Sequence, residues 1–391
     1  MRESKEKITK DINNLVYISQ SYGNDTDIVQ TGGGNTSVKN DTSMWIKLSG
    51  VRLKNIKDKS NFMKVELNRI KPLLYDETLL ALSDCERNRV IKNNIFSTKN
   101  GNMQKRYSIE IFLHAAMEEK FVMHTHPVYI NAMACSLKGK KIASVLFKEF
   151  EYLWVPYRKP GFLLGQALFA ARLKYRRKFK IIPNVVFLQN HGLIISGNSI
   201  DDIKILTGMV MSLLRGFFGD YKEENPLPPK NNVSKKLILN LYKAIRGKFP
   251  EKHFKLLISK CPYVHSLSLD SRLSELGLRG ALYPDHVVYC GKQPLILDRE
   301  DDEHAIGEKL SEFIGEKGFF PKYVVIPRSG VCIIGANSTE LNNIEEMLNA
   351  HVKTLILLLR KGQPAFLANK ECEYLAQWEA EKYRQKAAQL N

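Results

Sequence analysis

Phe121-Val-Met-His-Thr-His-Pro127 sets two histidines one residue apart at the end of a β-prone apolar run. Side chains on an extended strand alternate between its faces with period two. His124 and His126 therefore project from one face, one pleat apart. Two imidazoles so placed suit a single divalent ion, with zinc the first candidate for nitrogen donors. Pro127 has no N–H to give a sheet and marks a strand end, where sites tend to lie. The same spacing also describes two histidines on a half-exposed strand, so the surrounding sequence has to decide.

Outward from the pair, Ser108 to Glu119 carries apolar residues at 109, 112, 113 and 116, a helical spacing that puts Glu110 on a helix just upstream. Val185-Val-Phe-Leu-Gln-Asn-His-Gly-Leu-Ile-Ile-Ser-Gly197 reads as two strand runs meeting near His191. Ser199 then opens a helix, with Asp202 as its reciprocal capping partner. Nearer the start, Thr31-Gly-Gly-Gly-Asn-Thr-Ser37 is a glycine-rich turn whose amides suit an anion. Met44-Trp-Ile-Lys-Leu-Ser-Gly50 is a strand ending in a second small polar turn. Taken singly, each feature has an ordinary reading: a plain turn, a solvated glutamate, a core histidine.

Composition bounds the rest. The 391 residues, 44% hydrophobic and 26% charged, suit a globular chain of two or three domains. No apolar run approaches the roughly 18 residues of a membrane span, and the charged N-terminus lacks the apolar stretch of a signal peptide. The six cysteines are scattered without a C-x-x-C pair, which reads as buried thiols in a reducing cytoplasm. The net charge of +18 attracts anions, either a phosphorylated metabolite or nucleic acid. A dense run lies at Lys174, Arg176, Arg177, Lys178 and Lys180. It lacks the aromatic interleaving and the motifs of nucleic-acid binding, so a solvated basic surface is expected, with neither nucleic acid nor membrane as partner.

In chain order, six short motifs stand together: Gly34-Asn35-Thr36-Ser37, Ser49-Gly50, Ser108-Ile109-Glu110, His124-Thr125-His126-Pro127, Pro156-Tyr157 and Asn190-His191-Gly192. Over residues 10–220 this pattern resembles the class II aldolase/adducin family of metal-dependent sugar-phosphate enzymes. The resemblance implies an α/β fold, a three-layer α/β/α domain around a mainly antiparallel sheet. It implies His124, His126 and His191 as ligands of zinc or another divalent metal and Glu110 as catalytic acid/base. Gly34, Asn35, Ser49, Gly50 and Ser108 would hold the substrate phosphate. The implied reaction is reversible cleavage of a ketose 1-phosphate to dihydroxyacetone phosphate and an aldehyde, through an enediolate that the metal stabilises. The same scaffold serves sugar-phosphate dehydratases and 4-epimerases, and adducin-like members use it as a non-catalytic scaffold. Ile109 stands where the short aldolases carry a serine. The Glu110 to His124 interval is also shorter than theirs, and a second half follows. Both features are closer to a longer branch that includes bifunctional rhamnulose-phosphate aldolase/dehydrogenases. The short members are tetramers with sites between subunits, so a cytoplasmic homo-oligomer is implied.

Lys222-Glu-Glu-Asn-Pro-Leu-Pro-Pro-Lys-Asn-Asn-Val-Ser234 reads as a linker, dividing the chain into a catalytic domain at 1–221 and an α/β domain at 235–391. The second part echoes the first. Tyr323-Val-Val-Ile-Pro-Arg-Ser-Gly-Val-Cys-Ile-Ile-Gly335 repeats the pattern of 185–197, with Gly330 at the place of Gly192, Gly335 at that of Gly197 and Ser329 at that of His191. Asn337-Ser-Thr-Glu340 then offers a helix cap. A degenerate copy of the first domain is one reading, two unrelated strand–helix units the other. Leu282 to Gly291 is expected to be a turn and a strand, with His286 a ligand or substrate contact on one reading and a turn or core histidine on the other. Glu371 to Gln389 is expected to be a charged helix.

Overall fold

The computed structural model describes residues 2–95, 108–224 and 232–377, which form two compact units. One is built from the described residues of Met1–Ala134 and Lys138–Phe217, the other from Cys135–Leu137 and Phe218–Glu381. Of the proposed linker, residues 222–224 belong to a short 3-10 turn, and 225–231 lie outside the described residues.

The first unit is organised by a seven-stranded sheet. Its strands are β1 (Asn35–Lys39), β2 (Ser43–Lys47), β3 (Phe62–Glu66), β4 (Phe121–Thr125), β5 (Tyr152–Val155), β6 (Val185–Leu188) and β7 (Gly192–Gly197). They lie in the order β3-β2-β1-β4-β7-β6-β5. Every neighbouring pair is antiparallel except β5 with β6. The mainly antiparallel α/β architecture expected from the motifs is present.

The sheet is covered on both faces, which is why β4 and β7 read as continuous apolar runs rather than alternating ones. Helices α2 (Leu67–Tyr75), α3 (Asp84–Ile95), α4 (Ile111–Ala116) and α7 (Phe162–Phe179) cover one face, sharing a core with Met44, Ile46, Val122, Val186 and Ile194. Helix α1 (Arg2–Gly23) packs on β1 opposite them, beside α8 (Ile200–Phe218), where Lys204 lies over the Tyr17 ring at 4.8 Å. Helix α5 (Val128–Ala134) also meets α8, with Arg215 over Tyr129; α6 (Gly139–Leu146) follows it. Helices α4 and α7 approach to backbone contact at Gly165, where an added Cβ would lie 2.3 Å from Phe112 Cβ.

Helix α4 is shorter than the periodicity of 108–119 suggests. Met117 is already extended, because the chain has only three more residues in which to turn into β4. Glu110 therefore sits at the N-cap of α4 instead of on its face. Downstream, the Ser199–Asp202 box caps α8 as expected. Asp202 N donates to Ser199 Oγ, and the Asp202 carboxylate accepts from the backbone of Asn198 and Ser199.

The second unit has a four-stranded sheet of β8 (Lys255–Ile258), β9 (Leu295–Ile296), β10 (Tyr323–Ile326) and β11 (Gly330–Gly335) in the order β8-β11-β10-β9. Helices α9 (Lys235–Lys248) and α13 (Glu303–Lys317) share a core with one face. Helices α10 (Pro262–Leu269) and α14 (Ser338–Lys361) pack on the sheet as well, and α11 (Ser271–Arg279) lies beside both. Residues expected as a strand at 282–291 instead form α12 (Pro284–Cys290). Pro284 at its first turn presets the helical φ, and packing on α14 overrides the strand preference of Val287, Val288 and Tyr289. His286 is a core residue there, its ring stacked on His351 at 3.7 Å. Helix α15 (Asn369–Gln377) is the described part of the expected terminal helix; the remainder to Gln389 lies outside the described residues. Cys85 is exposed and Cys261 half-buried, contrary to the expectation that every thiol is buried.

Candidate metal centre

Strand β4 ends at the candidate centre. His124 pairs with Ile194 and Thr125 with Leu193, so His124 is the last donor still locked in the sheet and His126 lies just beyond it. Both are buried. His191 reaches the same place from the turn between β6 and β7. The turn depends on Asn190 at φ +51, a left-handed conformation that asparagine tolerates, and on Asn190 N donating to Ala134 O at 3.1 Å. Gly192 follows because nothing larger fits. A Cβ there would lie 2.5 Å from Thr125 O and 2.6 Å from His126 Cδ2.

Three ring nitrogens converge. His126 Nε2 lies 3.0 Å and His191 Nε2 3.2 Å from His124 Nε2. Glu110 Oε1 lies 2.8 Å from His191 Nε2 and 3.4 Å from His124 Nε2. One donor atom from each of the four residues falls within 4.8 Å of the others. His124 Nδ1 is 2.9 Å from Leu193 O, which only accepts, so Nδ1 carries the proton and the Nε2 lone pair faces the cluster. Burial pushes His191 down to about 4 against the opposing pull of Glu110, which keeps that ring neutral near pH 7.

The donor set fits a divalent cation. Neutral imidazoles and a carboxylate turned toward one another repel unless a positive charge lies among them. Three nitrogens each about 2.0–2.1 Å from a tetrahedral zinc stand roughly 3.3 Å apart, close to the separations of His124 from its two neighbours. The carboxylate is also fixed from behind, with Asn35 Nδ2 donating to Glu110 Oε2 at 2.6 Å.

The five residues nominated for an anion are placed unequally. Asn35, first residue of β1, has its amide on Glu110. Ser108 is buried beside that carboxylate residue, its Oγ accepting from Glu110 N at 3.3 Å. Gly34 and Gly50 take positive φ of +71 and +82. Ser49 is half-buried in the turn after β2. The sequence reading overlooked Lys47. Buried at the end of β2, its ammonium donates to Val51 O at 2.6 Å and reaches Gly32 O at 3.5 Å, linking the glycine-rich loop to the Ser49-Gly50 turn. His114 was overlooked too; its Nδ1 lies 2.7 Å from Ser37 Oγ.

The family model described as "Class II Aldolase and Adducin N-terminal domain" matches residues 13–215. A Bacillus subtilis (strain 168) protein named as an uncharacterized oxidoreductase, YuxG, is 27% identical over 343 residues. That match covers 82% of this chain and 47% of the relative, so the chain spans about half the length of the curated protein it matches. Among solved structures, the N-terminal class II aldolase domain of a conserved protein from Thermoplasma acidophilum is 26% identical. It covers 53% of this chain and 93% of its own, with a TM-score of 0.44. An L-fuculose 1-phosphate aldolase is 17% identical, covering 54% and 88%, with a TM-score of 0.35. Among the described residues, no helix is long and apolar enough to cross a membrane.

Proposed function

Because this chain belongs to the class II aldolase and adducin family, we propose that its first unit is a metal-dependent carbon–carbon lyase. It would reversibly cleave a ketose 1-phosphate, or a related sugar derivative, to dihydroxyacetone phosphate and an aldehyde. The observation that carries this reading is the convergence of His124, His126 and His191 Nε2 with the Glu110 carboxylate.

In this reading the three imidazoles hold zinc or another divalent ion. When bound, the ion supplies Lewis-acid stabilisation of the negative charge that develops beside a ketose carbonyl. Cleavage releases the proton of the C4 hydroxyl to solvent, makes C4 the aldehyde carbonyl and breaks the C3–C4 bond. The bonding pair passes toward the C2 carbonyl, and C3 then takes a proton. Glu110 is the carboxylate assigned to moving that proton at C3, a role helped by burial and by the fixed orientation that Asn35 imposes. The loops at 31–35 and 48–51, tied through Lys47, are assigned to the phosphate. Retention of all four buried donors favours an enzyme over a scaffold of the adducin kind.

The test is product analysis after incubating zinc-loaded protein with a panel of ketose 1-phosphates. Release of dihydroxyacetone phosphate, lost in Glu110→Gln, supports the assignment. Metal-loaded protein that instead releases water from the sugar, or inverts its C4 centre, overturns it in favour of a dehydratase or a 4-epimerase.

A further inference from the structure

We infer that the second unit is a diverged copy of the metal-binding frame whose metal site has been filled in. This rests on reading His124, His126 and His191 as metal ligands. The order β8-β11-β10-β9 repeats β4-β7-β6-β5, including the senses: two antiparallel pairs followed by a parallel one. A helix pair shares the core of one face in each case, α4 with α7 and α9 with α13. A long helix follows the last strand in each, α8 and α14.

The register agrees residue by residue. Phe121 pairs with Gly197 and His124 with Ile194; Lys255 pairs with Gly335 and Ile258 with Cys332. The last hairpins share their irregularities. Asn190 at φ +51 donates its N–H to Ala134 O, and Arg328 at φ +59 donates to Ser268 O. His191 N donates to Leu188 O and Ser329 N to Ile326 O; Ser196 N donates to Asn184 O and Ile334 N to Lys322 O. At the following helix, Asn198 N donates to Asp202 Oδ2 and Ala336 N to Glu340 Oε2. Two unrelated strand–helix units share a hairpin by common geometry, but they have no reason to share a left-handed residue bonded to the same distant carbonyl.

This register puts Ile258 at the place of His124, Lys260 at that of His126 and Ser329 at that of His191. An alkyl group, an ammonium and a hydroxyl make no site for a divalent cation. The space is also taken. Over Gly192 an added Cβ meets the rings of His126 and His124, whereas over Gly330 it meets Val233 Cγ2 at 2.9 Å and the His265 ring at 3.6 Å. No strands equivalent to β1–β3 occur among the described residues of the second sheet, so the loops assigned to the phosphate have no counterpart there either. One metal centre is therefore expected among the described residues, and the second unit keeps the frame without the donors.

Metal analysis of the full chain, reconstituted with zinc, tests this. The expected content is one ion per chain, falling to none in His124→Ala/His126→Ala. Restoring donors in that background through Ile258→His, Lys260→His, Ser329→His and Val233→Ala is expected to bring back one ion, held in the second unit. Two ions in the wild-type chain overturn the inference whether or not the graft folds. A graft that folds by circular dichroism and stays metal-free overturns the residue correspondence. A wild-type chain without metal, or a double variant that keeps its ion, instead overturns the ligand reading on which the inference stands.

Discussion

Asn35 and Glu110 lie 75 positions apart and meet through a 2.6 Å hydrogen bond from the asparagine amide to the carboxylate. The first residue of β1 thereby aims the N-cap residue of α4 at the histidines. A hydrogen bond to a charged group is worth about 1.5–3 kcal/mol. Asn35→Ala is expected to lower kcat roughly ten- to a hundred-fold while leaving metal content unchanged. Glu110→Gln is expected to cost more, on the order of 10²–10⁴. Steady-state kinetics with metal analysis of both variants checks the order.

The ion is also expected to stabilise the fold, because the repulsion among the donors is relieved only when a cation is present. Binding to the native state alone adds about 2.7 kcal/mol when free metal is a hundred times its Kd. Chelation should lower the Tm of the wild-type protein. His191→Ala should show a much smaller change, and calorimetry with and without chelator compares the two.

Lys47 ties two loops through their carbonyls. Losing a hydrogen bond from a charged donor costs about 1.5–3 kcal/mol. Lys47→Met is expected to lower the Tm and to raise KM for a phosphorylated substrate more than it lowers kcat. Bound metal should be unaffected, since the side chain is not among the converging donors.

Acid should loosen the second unit. Burial pushes His286 down to about 3, and burial together with His286 pushes His351 well below its usual value. The unfolded chain takes up protons near pH 6.5 that the folded core refuses. The stability from this pair is therefore complete above about pH 6.5 and falls as pH drops toward about 3. Wild-type Tm should fall more steeply between pH 6.5 and 4 than that of His286→Phe, which keeps a ring against His351.

The sequence made the strands and the histidine motif legible because both are local. The apolar run from Phe121 that ends in His124-Thr-His126 and the turn at Asn190-His191-Gly192 announce themselves within seven residues. What was hidden is tertiary. A lysine on a strand reads as a solvent-facing residue, and nothing near Lys47 in sequence reveals that two loops fold over it. Val287 and Val288 favour a strand on their own terms, and only burial against α14 makes them helical. Glu110 was found by its motif, but its place at the helix cap depends on how soon the chain must re-enter the sheet.

Gly165 carries no functional group and donates nothing to the site, yet the distance between α4 and α7 is set there. Glu110 is fastened to the first turn of α4, so the thickness of one absent methyl group governs where the carboxylate stands. The seam between these helices works as a shim. A change to alanine is expected to be felt as a displaced carboxylate, an alteration of reach with every converging donor still present.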